Sequence, residues 1–341
     1  MPDAGKKTSE KLSIVVAFRN EESTLDTLLN SLANQTLKDF QLILVNDHST
    51  DNYKPIIDKW SCVFPDFLLI HLEEGYGKKI AISKGVQHAK CNNILVTDAD
   101  CDLPEDWSRL MGHSLDENNE VQLVAGIVSL SGNSFFQRLQ QLEFASLIAS
   151  SVGAANQNMA FMLNAASMGF KKSFYLSVLK ELLSVPSPSG DDVFLLSACK
   201  RNHTRGFRYI FDPSILVKTP AKTTLRAFLS QRIRWASKAT YYKDPLIKKI
   251  AILVGVTHIA LLLGAVSLLL NDSVVYPFFI FVCIKLVFDF LLLHRYLQIV
   301  QQLHLLNYFL IVEFVLPFYI IFVGISSQFV KYSWKDRIYR H

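Results

Sequence analysis

Cysteine is sparse in this chain of 341 residues, and none of its five copies stands at a spacing that binds metal. Cys62, Cys91, Cys101, Cys199 and Cys283 form no CxxC pair. That removes a thiolate metal cage from consideration, and an odd, scattered set fits buried thiols in a reducing compartment. No secretory leader is expected either. Lys6, Lys7 and Lys11 precede only the short run Leu12–Phe18, which Arg19, Glu21 and Glu22 close at once, so the amino-terminal part is expected to stay in the cytoplasm. No motif supports nucleic acid as a partner. Acidic residues nearly vanish from one stretch: residues 200–249 hold two of them against thirteen Lys and Arg. The net charge is −8 over residues 1–199, +11 over 200–249 and +2 over 250–341, an asymmetry that the total of +5 hides. Such a basic block favours anionic lipid headgroups or a phosphorylated substrate.

Apolar residues, by contrast, make up 50% of the chain. That is high for a soluble protein, and the excess lies after about Leu246. Residues 248–270, 274–293 and 307–330 are each about as long as the ~20 residues that span hydrocarbon. Lys238, Lys243, Lys248 and Lys249 flank the first and hold its start on the cytoplasmic side. The second carries Lys285 and Asp289, four apart on one face, and the third carries Glu313. Ions are costly in lipid, so pairing within the bundle is favoured over a substrate role. Three spans would put Lys331, Lys335, Arg337 and Arg340 outside, against the positive-inside trend, so either one span is re-entrant or the rule fails here.

Before the tail, strands alternate with helical patterns. Leu12–Phe18 and residues 41–46, 67–72 and 94–97 read as strands. Leu25, Leu28, Leu29 and Leu32 mark a helix face, and a second helix follows Gly75 and Gly77 to about Ala89. This order predicts a parallel, doubly wound sheet, with a further strand at 122–130. The main strands end in polar residues: Arg19 and Glu21, then Asp47, then Asp98 and Asp100. Ligands gather beyond the carboxyl ends of such strands. Crowded carboxylates there suit Mg²⁺ or Mn²⁺ shared with substrate phosphates. An isolated Asp-x-Asp also suits an acidic surface turn.

Asp191 and Asp192 open another expected helix after the Pro/Ser-rich residues 186–190. A carboxylate pair at a helix start can supply a general base, since a like-charged neighbour raises the pKa of one member, or can simply cap the helix. In the helix expected at 223–240, Gln231, Arg234 and Trp235 share a face at i, i+3 and i+4, while Arg232 points elsewhere. A guanidinium suits a diphosphate, and an indole suits a sugar or lipid face. Residues 135–152 suit an amphipathic helix lying on the membrane or roofing a cleft, or an ordinary surface helix.

Four clusters together resemble glycosyltransferase family 2. They are Ala17 to Glu22, Val45 to Asp51, Gly77 to Ala81, and Thr97, Asp98 and Asp100 with Pro104 and Trp107. The resemblance covers residues from about 12 to 240. It departs at Ala17, where the family often has Pro, at Ser167 in an acceptor-side loop (residues 163–172), where Asn is common, and at Asp336 near the end, where lipid-directed relatives have Gly. It implies an α/β glycosyltransferase-A (Rossmann-like) catalytic domain and an inverting transfer from a nucleotide diphosphate sugar, with a UDP-sugar the first expectation. It also implies that Asp47 contacts the nucleobase, Asp98 the ribose and Asp100 the divalent metal, with Asp192 the base beside Asp191. Arg19, Glu21, Lys78, Gln231 and Arg234 are then the further donor-binding candidates, and Trp235 the acceptor-binding one.

The expected organisation is a cytoplasmic catalytic domain at 1–222, an interfacial helix at 223–246 and a small transmembrane helix bundle at 247–341. The expected setting is the inner membrane, and the expected acceptor is a membrane lipid or lipid-linked saccharide. A processive polysaccharide synthase is the nearest alternative, though a translocation channel normally needs more spans and none is expected before the catalytic domain. A non-catalytic nucleotide-sugar-binding subunit is the other.

Overall fold

The computed structural model describes residues 11–329, apart from 118, 186–190, 204, 271, 272 and 274, together with 332–334 and 337–339. The Pro/Ser-rich residues 186–190 and the tail residues Lys331, Lys335, Asp336 and Arg340 lie outside the described residues. The chain divides into two compact units, residues 1–129 with 162–220 and residues 130–161 with 221–341.

The first unit is built on a sheet of seven strands. Leu12–Phe18 (β1), Phe40–Asn46 (β2), Asp66–His71 (β3) and Asn93–Asp98 (β4) run parallel in the order β3-β2-β1-β4. They alternate with the helices Leu25–Ala33 (α1), Lys54–Ser61 (α2) and Lys78–His88 (α3). β1 and β2 are covered on both faces, which is why their sequences are almost unbroken apolar runs. Val15 and Val16 are fully buried, worth roughly 1.5–3 kcal/mol each by burial. Helix α3 lies close on this layer. A Cβ at Gly85 would come within 2.4 Å of Val15 Cγ1, so only glycine fits there.

Past β4 the sheet ceases to be parallel, correcting the fully parallel expectation. Met168–Lys171 (β7) runs antiparallel between β4 and Leu123–Gly126 (β5), and Phe207–Ile210 (β8) pairs parallel with β5. The strand expected at 122–130 is two strands, because the chain breaks at Ile127 before Val128–Ser131 (β6). Close packing at Gly126, where a Cβ would meet Ser167 Oγ at 2.3 Å, accompanies the break. Trp107–Asp116 (α4), Lys172–Ser184 (α6), Asp191–Asn202 (α7) and the short strand Val217–Pro220 (β9) complete the unit.

Register then places the site. Ala17 pairs with Val45 on one side and Asp98 on the other, and Phe18 pairs with Asn46. The carboxyl ends of β1, β2 and β4 are therefore level. The strand order reverses between β1 and β4, the point in an open α/β sheet where ligands bind.

The second unit is helical. Phe135–Asn156 (α5) opens with a capping box of Ser134 and Gln137, and Leu225–Ala236 (α8) opens on Thr224, whose hydroxyl accepts from Ala227 N at 3.2 Å. Three helices are long and apolar enough to cross a membrane: Pro245–Ser267 (α9), Val275–Ile299 (α10) and the run Leu303–Phe329 that ends in Phe309–Phe329 (α11). The first starts before the expected residue 248, since Asp244 caps it and Pro245 fits its first turn. The second continues past residue 293 to Ile299. Leu253, Phe279 and Phe314 are among the large apolar side chains that these helices leave uncovered, as a lipid-facing surface requires. Lys285 and Asp289 pair at 2.6 Å and Lys285 also pairs with Glu313, the internal pairing that the sequence favoured. Tyr332–Trp334 (β10) and Arg337–Tyr339 (β11) form an antiparallel pair.

Candidate active site

Two loops are laced together beyond β1 and β2. Arg19 Nη1 donates to the carbonyls of Asp47 and His48, at 3.0 and 2.8 Å. Asn20 N donates to Ser49 Oγ, and Asn20 Oδ1 accepts from Thr50 N. Glu22 N donates to Asp51 Oδ2, while Glu22 Oε2 accepts from Asn52 N. Asn20 and His48 hold positive φ at these turns, a conformation that Asn and His tolerate better than most residues. Glu21 braces the start of α1, accepting from Thr24 Oγ1 at 2.9 Å. Arg19 and Glu21 thus stiffen the loop that frames the strand ends.

Asp47 is buried at the end of β2. Its Oδ2 accepts from Gly77 N at 3.0 Å, and its Oδ1 lies 3.1 Å from His48 Nδ1. Gly75 and Gly77 both take positive φ, which lets the backbone turn sharply into α3. Lys78, the first residue of α3, pairs with Asp98 at the end of β4. Burial opposes the Lys78 charge. The Asp98 charge and hydrogen bond, with smaller contributions from Asp192 and Asp191, outweigh it and hold the ammonium above its ordinary pKa. Asp98 and the pair that opens α7 are therefore gathered around one cation. Asp192 Oδ1 also accepts from Val193 N at 2.9 Å, so it touches its own helix start without being consumed by it.

Asp100 lies two residues beyond Asp98 and is half-buried. The turn between them is closed by Cys101 N donating to Asp98 O at 3.2 Å. Burial, then the charges of Asp98 and Asp100, push the Cys101 thiol well up, so it stays protonated beneath the carboxylates. Trp107 Nε1 donates to Ser167 Oγ at 2.9 Å, and both residues are fully buried. Ser167 therefore anchors α4 from below and presents nothing to an acceptor. Thr97 Oγ1 donates to Ala166 O, fixing the same loop to β4.

The donor set suits a divalent ion of one kind. Among the described residues no three His, Cys, Asp or Glu side chains converge to cage a metal. Asp100 offers a hard oxygen donor beside the Lys78–Asp98 pair, and Mg²⁺ or Mn²⁺ commonly takes one or two carboxylates and completes its shell with water and substrate phosphates. The residues fit an ion that arrives with a diphosphate.

Gln231, Arg234 and Trp235 belong to the second unit, on α8, and all three are half-buried. Arg232, which the face rule turned away, is the hub of that helix. It is 3% exposed, and its Nε donates to Glu143 Oε1 of α5 at 3.2 Å while Nη2 donates to Oε2. Its Nη1 donates to Gln231 Oε1 at 2.8 Å, and its guanidinium lies 4.3 Å over the Trp235 ring and 4.8 Å over Phe228. Burial disfavours that charge, and Glu143 more than restores it. Tyr319 of α11 donates to the same Glu143 at 3.2 Å. The sequence did carry a signal for this cluster, since Glu143 is the only acid in α5.

Residues 13–177 match the model of a family described as glycosyl transferase family 2. The poly-beta-1,6-N-acetyl-D-glucosamine synthase of Staphylococcus aureus (strain COL) is 27% identical over 240 residues, covering 69% of this chain and 56% of that protein. The synthase of the same name from Staphylococcus epidermidis is 25% identical over 228 residues, covering 67% and 54%. The chain thus spans about half the length of the curated relatives it matches. A mannosyltransferase from Pyrobaculum calidifontis, solved in complex with GDP-Man and Mn2+, is similar in fold. It has a TM-score of 0.56 at 17% identity and covers 96% of this chain and 90% of that one.

Proposed function

We propose that this chain, whose residues 13–177 match the glycosyl transferase family 2 model, is a glycosyltransferase that transfers a sugar with inversion from a nucleotide diphosphate sugar to a membrane lipid or lipid-linked saccharide. The observation that carries the reading is the charge cluster at the level strand ends, where Lys78 holds Asp98 and faces Asp191 and Asp192. Inverting transfer needs a base on the acceptor side and anion management on the donor side, and this cluster holds groups for both.

In this reading Asp192 takes the proton of the acceptor hydroxyl as its oxygen bonds to the anomeric carbon. The bond from that carbon to the diphosphate oxygen breaks, and the nucleoside diphosphate departs. Asp47 and the loops braced by Arg19 and Glu21 receive the nucleobase, and Asp98, paired with Lys78, receives the ribose. Asp100 would hold the divalent ion, which when bound offsets charge on the departing diphosphate. Gln231 and Arg234 are donor-binding candidates and Trp235 an acceptor-binding candidate by their motif. The three apolar helices support membrane association. The cluster Lys238, Lys243, Lys248 and Lys249 supports a cytoplasmic face for the catalytic domain, in the cell (inner) membrane.

The test is a donor panel on purified membranes, including UDP-N-acetylglucosamine and GDP-mannose, with the product identified by mass. A lipid enlarged by one sugar is the expected product. A ladder of products would favour a processive synthase, the second reading, which rests on the names of the matched relatives. Release of nucleotide from no donor would overturn both.

A further inference from the structure

The two lysines that open α3 serve opposite sides of the cluster. Lys78 turns to Asp98. Lys79 is 6% exposed and turns the other way. Its Nζ donates to the carbonyls of Leu182 and Val185, each at 3.1 Å, and lies 3.9 Å from Asp191 Oδ1. The Phe194 ring sits 5.7 Å from it. Leu182 and Val185 end α6, where a helix leaves carbonyls without intrahelical partners, and Asp191 opens α7. An ammonium has three protons. Two go to the end of one helix, and the third side faces the carboxylate that starts the next.

A lysine is almost never this buried unless paired. Burial pulls its pKa down, and the Asp191 charge only partly opposes that. The arrangement therefore has a cost, and a solvated surface lysine would bear none. Charges alternate through the site as Asp98, Lys78, the Asp191 and Asp192 pair, then Lys79.

We propose that Lys79 is a positioning residue for the transfer, which ties the start of α7 to the end of α6 and balances the charge of Asp191 so that Asp192 is presented to the acceptor. The inference rests on Asp192 being the base. Without Lys79, the Asp191 carboxylate would lose the buried cation that lies 3.9 Å from it. Lys79 does not reach the reacting atoms; it acts through Asp191.

The test uses the full-length protein in membranes with whichever of UDP-N-acetylglucosamine and GDP-mannose it turns over. In Lys79→Met, donor KM is expected to stay within about twofold while kcat falls about tenfold or more. The acid limb of the kcat profile is expected to move up by about half a pH unit to one unit, because a cation beside the carboxylate pair is gone. Lys79→Arg should keep the limb in place, and adding Asp191→Asn to Lys79→Met should return it. An unchanged limb in Lys79→Met, with kcat intact, overturns the proposal while leaving Asp192 as the base. Normal transfer by Asp192→Asn overturns the reading beneath it as well. If Lys79→Met fails to accumulate, recovery in Lys79→Met/Asp191→Leu supports the pair, and no recovery overturns it.

Discussion

Replacing Glu143 with Leu should destabilise the second unit, and replacing Arg232 as well should reverse most of the loss. The Arg232 side chain is 3% exposed and that of Glu143 is 11% exposed, so neither charge can fall back on water. Removing one partner of such a pair costs roughly 3–5 kcal/mol, because the other stays buried and uncompensated. Trp235 and Phe228 remain against the guanidinium after the change, each worth about 2 kcal/mol to a desolvated cation. Those contacts hold the expected cost near the lower bound, about 3 kcal/mol. For a cooperative body of about 150 residues, that corresponds to a fall of roughly 6–12 °C in Tm. Arg232→Leu should cost a similar amount, since it orphans the carboxylate. The double variant Glu143→Leu/Arg232→Leu should lie within about 1 kcal/mol of the parent, because a buried pair exchanged for apolar residues is close to neutral. Thermal unfolding in detergent, followed by tryptophan fluorescence at one scan rate, measures all four proteins. Single losses that add within about 0.5 kcal/mol in the double variant would refute the pairing argument.

Asp100→Ala should abolish transfer and remove the metal dependence of donor binding, with little change in Tm; normal transfer in the presence of chelator would contradict the metal assignment. Asp192→Asn should retain donor binding and lose transfer by about a hundredfold or more, with Asp191→Asn milder, and the opposite ranking in initial rates would move the base to Asp191. Arg234→Lys should lower turnover with the protein still in the membrane fraction, since the charge stays and the two-pronged fork is lost. Trp235→Ala should weaken acceptor use more than donor hydrolysis. Separate donor and acceptor titrations decide both, and unchanged kinetics of the membrane-bound protein would reduce α8 to an anchor.

The parts of the molecule that the sequence discloses share a physical property. β1, β2 and β4 are buried on both faces, so their residues form apolar runs that end where the backbone leaves the sheet, and Asp47, Asp98 and Asp100 stand at those ends. β7 and β8 are only four residues long. Met168 to Lys171 also carries a glycine and a lysine, too little pattern for a strand to be distinguished from the loop beside it. Lys79 escaped notice because two adjacent lysines at a helix start look solvated, and only the position of α6 shows otherwise. Arg232 escaped because a face rule follows Cα directions, whereas a guanidinium reaches across several side-chain lengths to Gln231, Trp235 and Glu143. Lys285 and Asp289 were legible, since a spacing of four within a helix suffices to bring them together.

The pairing of Lys285 has a consequence for how the chain enters the bilayer. On an insertion scale, a Lys or an Asp near the middle of a span costs roughly 2.5–3.5 kcal/mol. In α10 the two ions meet within one helix at 2.6 Å, so that segment can neutralise itself as soon as it coils. Glu313 has no basic residue within four positions of it in α11, and its cation lies on α10. During synthesis α10 leaves the ribosome first. The lysine that α11 requires is then already waiting in the membrane when Glu313 arrives, so the order of the helices along the chain is also the order in which each can be accepted by lipid.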